Sequence, residues 1–141
     1  MVHPEVQPAG CYCTTIRKAA RSLTKGYDKA LEGTGLRVTQ YALLNHIRRM
    51  EPVSFQDLSA AIALERTTLI RNLNLLCNQG FVHTNSGPKA HAITLTKAGR
   101  LALEAAVPHW RKAQDHVQNN LSNEEQALLT SLLGKLQAIF D

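Results

Sequence analysis

The stretch Leu64 to Val82 reads LERTTLIRNLNLLCNQGFV, and its apolar residues Leu69, Ile70, Leu73, Leu76 and Cys77 recur at helical spacing ahead of Gly80, a residue suited to a left-handed helix cap. The spacing predicts a helix over roughly Glu65 to Asn78 that throws Thr67, Thr68 and Arg71 outward and leaves Asn74 at the margin. Just upstream, FQDLSAAI (Phe55–Ile62) has room for only about two helical turns. Ser54 with Asp57 three residues on resembles a capping box with Asp in place of Glu, and the pattern breaks at Ala63–Leu64. Two short helices around a tight turn make a helix-turn-helix, whose second helix enters a DNA major groove roughly 12 Å wide. Downstream the period changes. Phe81-Val82-His83 is a short β run, Asn85-Ser86-Gly87-Pro88 a turn sequence, and Ala92-Ile93-Thr94-Leu95-Thr96 alternates as a strand does, so a small hairpin follows.

Outward from this centre the chain is helical. Ile16, Ala19, Ala20, Leu23, Tyr27, Ala30 and Leu31 define a helix from Cys13 that stops near Gly33 and Gly35. TQYALLNHIRRM from Thr39, closed by Pro52, turns Leu43, Leu44 and Ile47 inward and Arg48 and Arg49 outward. After Thr96 a long helix carries Pro108, which removes one backbone bond and is expected to bend the axis. Ser122 and Glu125 form a capping box for a last helix whose Leu128, Leu129, Leu132, Leu133, Leu136, Ile139 and Phe140 line one broad face. The expected class is mostly α with a small β-hairpin wing, a winged helix-turn-helix with terminal dimerisation helices. Residues 1–12, with two prolines and a glycine, are an amino-terminal arm; 13–36 and 100–141 form the helical dimerisation region; 37–99 form the DNA-binding lobe. The terminal stripes either pair two copies of a chain too short to cover them itself or close a bundle within one chain.

At 141 residues, 44% hydrophobic and 19% charged, the chain fits one compact domain or a core with a dimerisation extension, and leaves no room for two enzymatic domains. The formal charge of +5 becomes informative by segment: residues 1–64 carry +3, 65–100 carry +4 and 101–141 carry −2. The basic excess is densest on the fourth helix and hairpin, where Lys89 and His91 sit at the tip. No apolar run approaches the roughly 20 residues of a membrane helix and no signal pattern opens the chain, so a cytoplasmic protein without membrane contact is expected. No G-x-S-x-G, P-loop, H-E-x-x-H or dinucleotide glycine pattern is present, which argues against an enzyme and against a nucleotide cofactor. None of the six histidines forms an i, i+4 pair, and the Cys11-x-Cys13 pair alone is too few ligands for a closed zinc site, so neither metal nor other cofactor is expected.

The outward residues of the fourth helix have groove chemistry. Arg71 can donate twice to guanine O6 and N7, Thr67 and Thr68 can bond a base edge or touch a thymine methyl, and Asn74 can pair with adenine. The hairpin would lie as a wing along the backbone or minor groove.

LERTTLIRNLNLLCNQGFV, the hairpin and AITLTKAGR together resemble the recognition helix, wing and LT-x-x-GR junction of the multiple-antibiotic-resistance regulator (MarR) family, and GLRVTQYALLNHI and PHWRKAQ fit as well. The resemblance implies a dimeric transcription regulator, usually a repressor, bound to a pseudo-palindromic DNA operator, with a small ligand or oxidant acting between the dimer region and the DNA-binding lobe. It sets Thr67, Thr68 and Arg71 where the family reads bases, with Arg66 and Asn72 close to the backbone. Two departures stand out: the wing reads NSGPKAH where relatives often carry an acid and, two residues later, an arginine, and Leu75 occupies an outward position more often polar.

For sensing, the resemblance favours an aromatic or phenolic acid-like effector. A pocket among the first, second and fifth helices could use Tyr27, Tyr41, His46 or Trp110 as walls, with Arg21 for a carboxylate. The residues themselves suggest a second route, because Cys11 and Cys13 lie at a helix start with Arg17 and Lys18 within a turn, where a thiol pKa falls. A winged-helix protein-interaction module is the competing class. Salt separates the two, since DNA binding weakens steeply with added salt and an apolar protein contact does not.

Overall fold

Gly99 of the strand-to-helix junction lies so close to the Phe81 backbone that an added Cβ would stand 2.1 Å from its carbonyl oxygen, which brings the chain after the fourth helix against the start of the fifth. The computed structural model describes residues 10–85 and 92–141. The described elements run α1 (Tyr12–Ala30), α2 (Val38–Met50), α3 (Phe55–Ile62), α4 (Arg66–Asn78), β1 (Val82–His83), β2 (Thr94–Leu95), α5 (Lys97–Asn119) and α6 (Asn123–Ala138). The expected order therefore holds, with α1 and α2 each beginning one residue earlier than the periodicity predicts. The chain before Gly10 and the hairpin tip with Lys89 and His91 lie outside the described residues.

Local chemistry accounts for most boundaries. Cys11 caps α1, its Sγ accepting the Thr14 N–H. α2 starts early because Asp28 of α1 accepts the Val38 N–H at 2.8 Å and Gln40 accepts that of Arg37 at 3.0 Å. Ser54 accepts the Asp57 N–H at 3.0 Å, but Asp57, one methylene shorter than Glu, does not return the bond. At Ser122 and Glu125 both halves of the box form. Ala63 ends α3 at φ 49°, a left-handed conformation unusual for a residue with a side chain. α5 continues through Pro108 as one helix.

The core is built from Leu31, Leu36, Leu43, Leu44, Ile47, Leu58, Leu69, Leu73, Leu76, Val82, Ile93, Leu95 and Leu103, all buried. Ile70 departs from the expected inner face of α4 and is 40% exposed, because the helix presents only Leu69, Leu73 and Leu76 squarely to the core. The two strands pair antiparallel through Val82 with Leu95 and His83 with Thr94, and Val53 joins as a single bridge to Ile93. Glu51 ties this sheet to α5, accepting the Leu95 N–H at 3.0 Å with one oxygen and pairing with Arg100 through the other. Neither α1 nor α6 contains a buried residue, and Leu128, Leu129, Leu132, Leu133 and Leu136 of α6 all stand exposed. No described helix is long and apolar enough to cross a membrane.

Candidate nucleic-acid interface

α4 is seated by Leu69, Leu73 and Leu76, and this anchoring fixes what faces solvent. Arg66, Thr67, Arg71 and Asn74 are exposed, whereas Thr68 and Asn72 are half-buried. The Asn72 amide donates to the Thr68 carbonyl at 3.0 Å, so one of its two N–H groups is engaged within its own helix, and the other and the amide oxygen are left for a partner. Leu75 is exposed near the carboxyl end of the same helix, and beside it a cleft of about 840 Å³ includes Lys25, Lys29, Arg37 and Gln79. Glu65, at the N-cap, makes no side-chain capping bond, which leaves the first-turn amides of α4 open to an anion. The Arg66 guanidinium lies over the Phe55 ring, 5.0 Å from its centre.

The five residues considered for an effector do not share one cleft. Tyr41 and Trp110 come together, stacked with ring centres 5.5 Å apart and planes 16° off parallel. They line a cleft of about 320 Å³ between α2 and α5 whose polar members are Asn45, Arg48, Glu104 and Arg111. Burial pushes the Tyr41 hydroxyl above its ordinary pKa, while Arg111 and Arg48 pull it back. Tyr27 belongs instead to a cleft of about 500 Å³ between α1 and α5, with Ser22, Leu23, Lys112 and His116. Its hydroxyl donates to Gln114 at 2.5 Å, and burial raises its pKa. His46 shares a hydrogen bond with the Ala42 carbonyl at 2.8 Å, and Arg21 is exposed on α1; neither lines these two clefts. Sequence reasoning passed over Arg48 and Arg111, although Arg111 adjoins Trp110 and Arg48 lies two helical turns beyond Tyr41.

Cys11 and Cys13 are both exposed free thiols. The Cys11 pKa is lowered by hydrogen bonding from the Thr14 side chain and, next, the Thr14 backbone; Arg17 and Lys18, expected as the cause, are not among those that shift it. Cys77 is half-buried beside an apolar recess of about 200 Å³ that also includes Phe55, Ile70, Leu73 and Ile93. Among the described residues no group of His, Cys, Asp or Glu could hold a metal ion.

A MarR family model matches residues 34–91. The chain is similar to the crystal structure of the transcriptional regulator MosR of M. tuberculosis, with 37% identity and a TM-score of 0.79 over 92% of this chain and 96% of that one. A second MosR structure, in complex with DNA, is 38% identical with a TM-score of 0.77, covering 91% of this chain and 98% of that one. An uncharacterized HTH-type transcriptional regulator of Bacillus cereus is 28% identical over 110 residues, 77% of this chain and 75% of the relative.

Proposed function

The chain belongs to the MarR family of transcriptional regulators, and from that membership we propose that it is a homodimeric repressor whose α4 helices read a pseudo-palindromic operator and whose grip is released by a small aromatic acid. As a member of that family it is a DNA-binding regulator and not an enzyme. The observation that carries the DNA reading is the outward row of Arg66, Thr67, Arg71 and Asn74 on a helix pinned from behind by three leucines. Residues 37–99 form the reading lobe, and 13–36 with 100–141 the dimer region. Lys89 and His91 extend the contact from the wing tip, along the backbone rather than by an arginine inserted in the minor groove.

The test is selection of bound fragments from genomic DNA, followed by gel-shift titration of variants on the recovered operator. Arg71→Ala is expected to leave helicity intact and cost about 1–3 kcal/mol, roughly 5–150-fold in affinity, by removing a bidentate contact to guanine. Unchanged affinity would take Arg71 out of base reading. Binding that ignores added salt would favour a protein-interaction module instead.

For release, the α2/α5 cleft offers an aromatic wall in Tyr41 and Trp110 and two guanidinium groups for a carboxylate. Such a ligand acts only if it prefers a dimer geometry in which the recognition helices are wrongly spaced for DNA. A thiol reading has its own support, the exposed, N-capping Cys11 whose thiol is held below its usual pKa. Its thiolate would take an oxygen from a hydroperoxide, releasing water or alcohol and leaving a sulfenic acid at the start of α1. Under this reading peroxide strips the wild-type protein from its operator and leaves a Cys11→Ser, Cys13→Ser variant bound. A double variant that releases DNA as fully as wild type ends it.

A further inference from the structure

Phe55 stands at the first position of α3 with its ring beneath the Arg66 guanidinium, 5.0 Å away. Its place is set from three sides. The Ser54 hydroxyl caps the helix that Phe55 begins, and Val53 is bonded in both directions to Ile93 of the wing, at 3.2 and 2.9 Å. The ring itself packs against the buried core. Arg66, by contrast, is exposed, and among the described residues no carboxylate lies within ion-pair distance of it.

We propose that Phe55 is a positioning residue, presenting Arg66 to a DNA backbone phosphate at the amino end of α4. A ring under a guanidinium holds the group by its face and leaves the N–H edges free, and that planar fork is the shape that grips a phosphate through two parallel bonds. The first-turn amides of α4, uncapped by Glu65, open at the same helix end. Phe55 is also joined through Val53 to Ile93, the residue before β2, which ties its place to the sheet as well as to α3. The inference rests on the DNA reading proposed above.

The experiment measures affinity against salt concentration by fluorescence anisotropy, on the operator duplex recovered by selection, for Phe55→Leu, Phe55→Tyr, Arg66→Ala and the Phe55→Leu, Arg66→Ala pair. Phe55→Leu is expected to bind about three- to tenfold more weakly, with the slope of log affinity against log salt reduced by up to about 0.9, the share of one phosphate. Phe55→Tyr, which keeps the ring, should restore both. In the Arg66→Ala background Phe55→Leu should add nothing. Should Leu prevent folding, Phe55→Met carries the same comparison. Wild-type binding with an unaltered slope in the Leu variant, or losses that add to those of Arg66→Ala, would overturn the positioning role while leaving the DNA reading intact. A wild-type chain that binds no duplex removes both.

Discussion

Replacing Leu132 and Leu133 together by Glu is expected to yield a folded monomer in analytical ultracentrifugation and to weaken operator binding by about 10²–10⁴-fold. α6 contains no buried residue although Leu128, Leu129, Leu132, Leu133 and Leu136 share one face. Apolar surface of this extent gains about 25 cal/mol for each Å² removed from water, and in the homodimer proposed above a second copy of the same helix would supply the cover. α1 likewise buries nothing and leaves Ile16 and Leu23 exposed, so both ends of the chain offer apolar surface. Such pairing would set two α4 helices on successive major-groove faces, roughly 34 Å apart, and make the second half-site an intramolecular target. Four glutamates crowded at a two-fold contact reverse that gain. The rest of the fold should tolerate the change, since the described core draws nothing from α6. A variant that still sediments as a dimer moves the interface elsewhere; one that loses its helicity shows instead that the stripe closes on its own chain.

The parts of this protein legible in its sequence are those decided by near neighbours along the chain. Leu69, Leu73 and Leu76 face the core because helical spacing puts them on one side, and Ser122 with Glu125 closes a capping box because three residues span that turn. The same reasoning overreached at Ile70, where periodicity marks a face but not how wide a strip of it the neighbouring elements cover. Clefts were harder to foresee. Tyr27, Tyr41, His46 and Trp110 all lie on helices correctly foreseen, yet only Tyr41 and Trp110 meet, since the rotation of α2 against α5 decides which side chains converge. The thiol of Cys11 teaches a related lesson. The helix start was readable, whereas the group that lowers its pKa proved to be Thr14 and not the nearby charges. Phe55 under Arg66 joins residues across the helix-turn-helix, and nothing in their spacing announces it.

Gly99→Ala should destabilise the protein by about 3 kcal/mol or more, lowering the melting temperature by roughly 6–12 °C, although it replaces glycine with the best helix former inside a helix. Propensity alone forecasts the opposite sign, a gain of about 1 kcal/mol. Geometry decides. Thr96 caps α5 by accepting the Gly99 N–H at 3.0 Å, while its own hydroxyl donates to the Gly80 carbonyl at 2.5 Å and its backbone N–H to the Phe81 carbonyl at 3.0 Å. These three bonds draw the first turn of α5 against the chain leaving α4, and the Phe81 backbone fills the space where a side chain at residue 99 would begin. A Cβ there meets Phe81 oxygen at 2.1 Å and Phe81 carbonyl carbon at 2.9 Å, both backbone atoms that cannot rotate away. The threonine and glycine of the LTKAGR segment are thus two halves of one joint, which fastens the chain leaving α4 to the first turn of α5. Gly134→Ala is the matched control: it lies on the side of α6 away from the leucine stripe and has nothing within 4 Å of an added Cβ, so it should raise the melting temperature slightly. Thermal unfolding of both variants followed by circular dichroism makes the comparison. A Gly99→Ala protein that melts at or above wild type would show that the joint can open without cost.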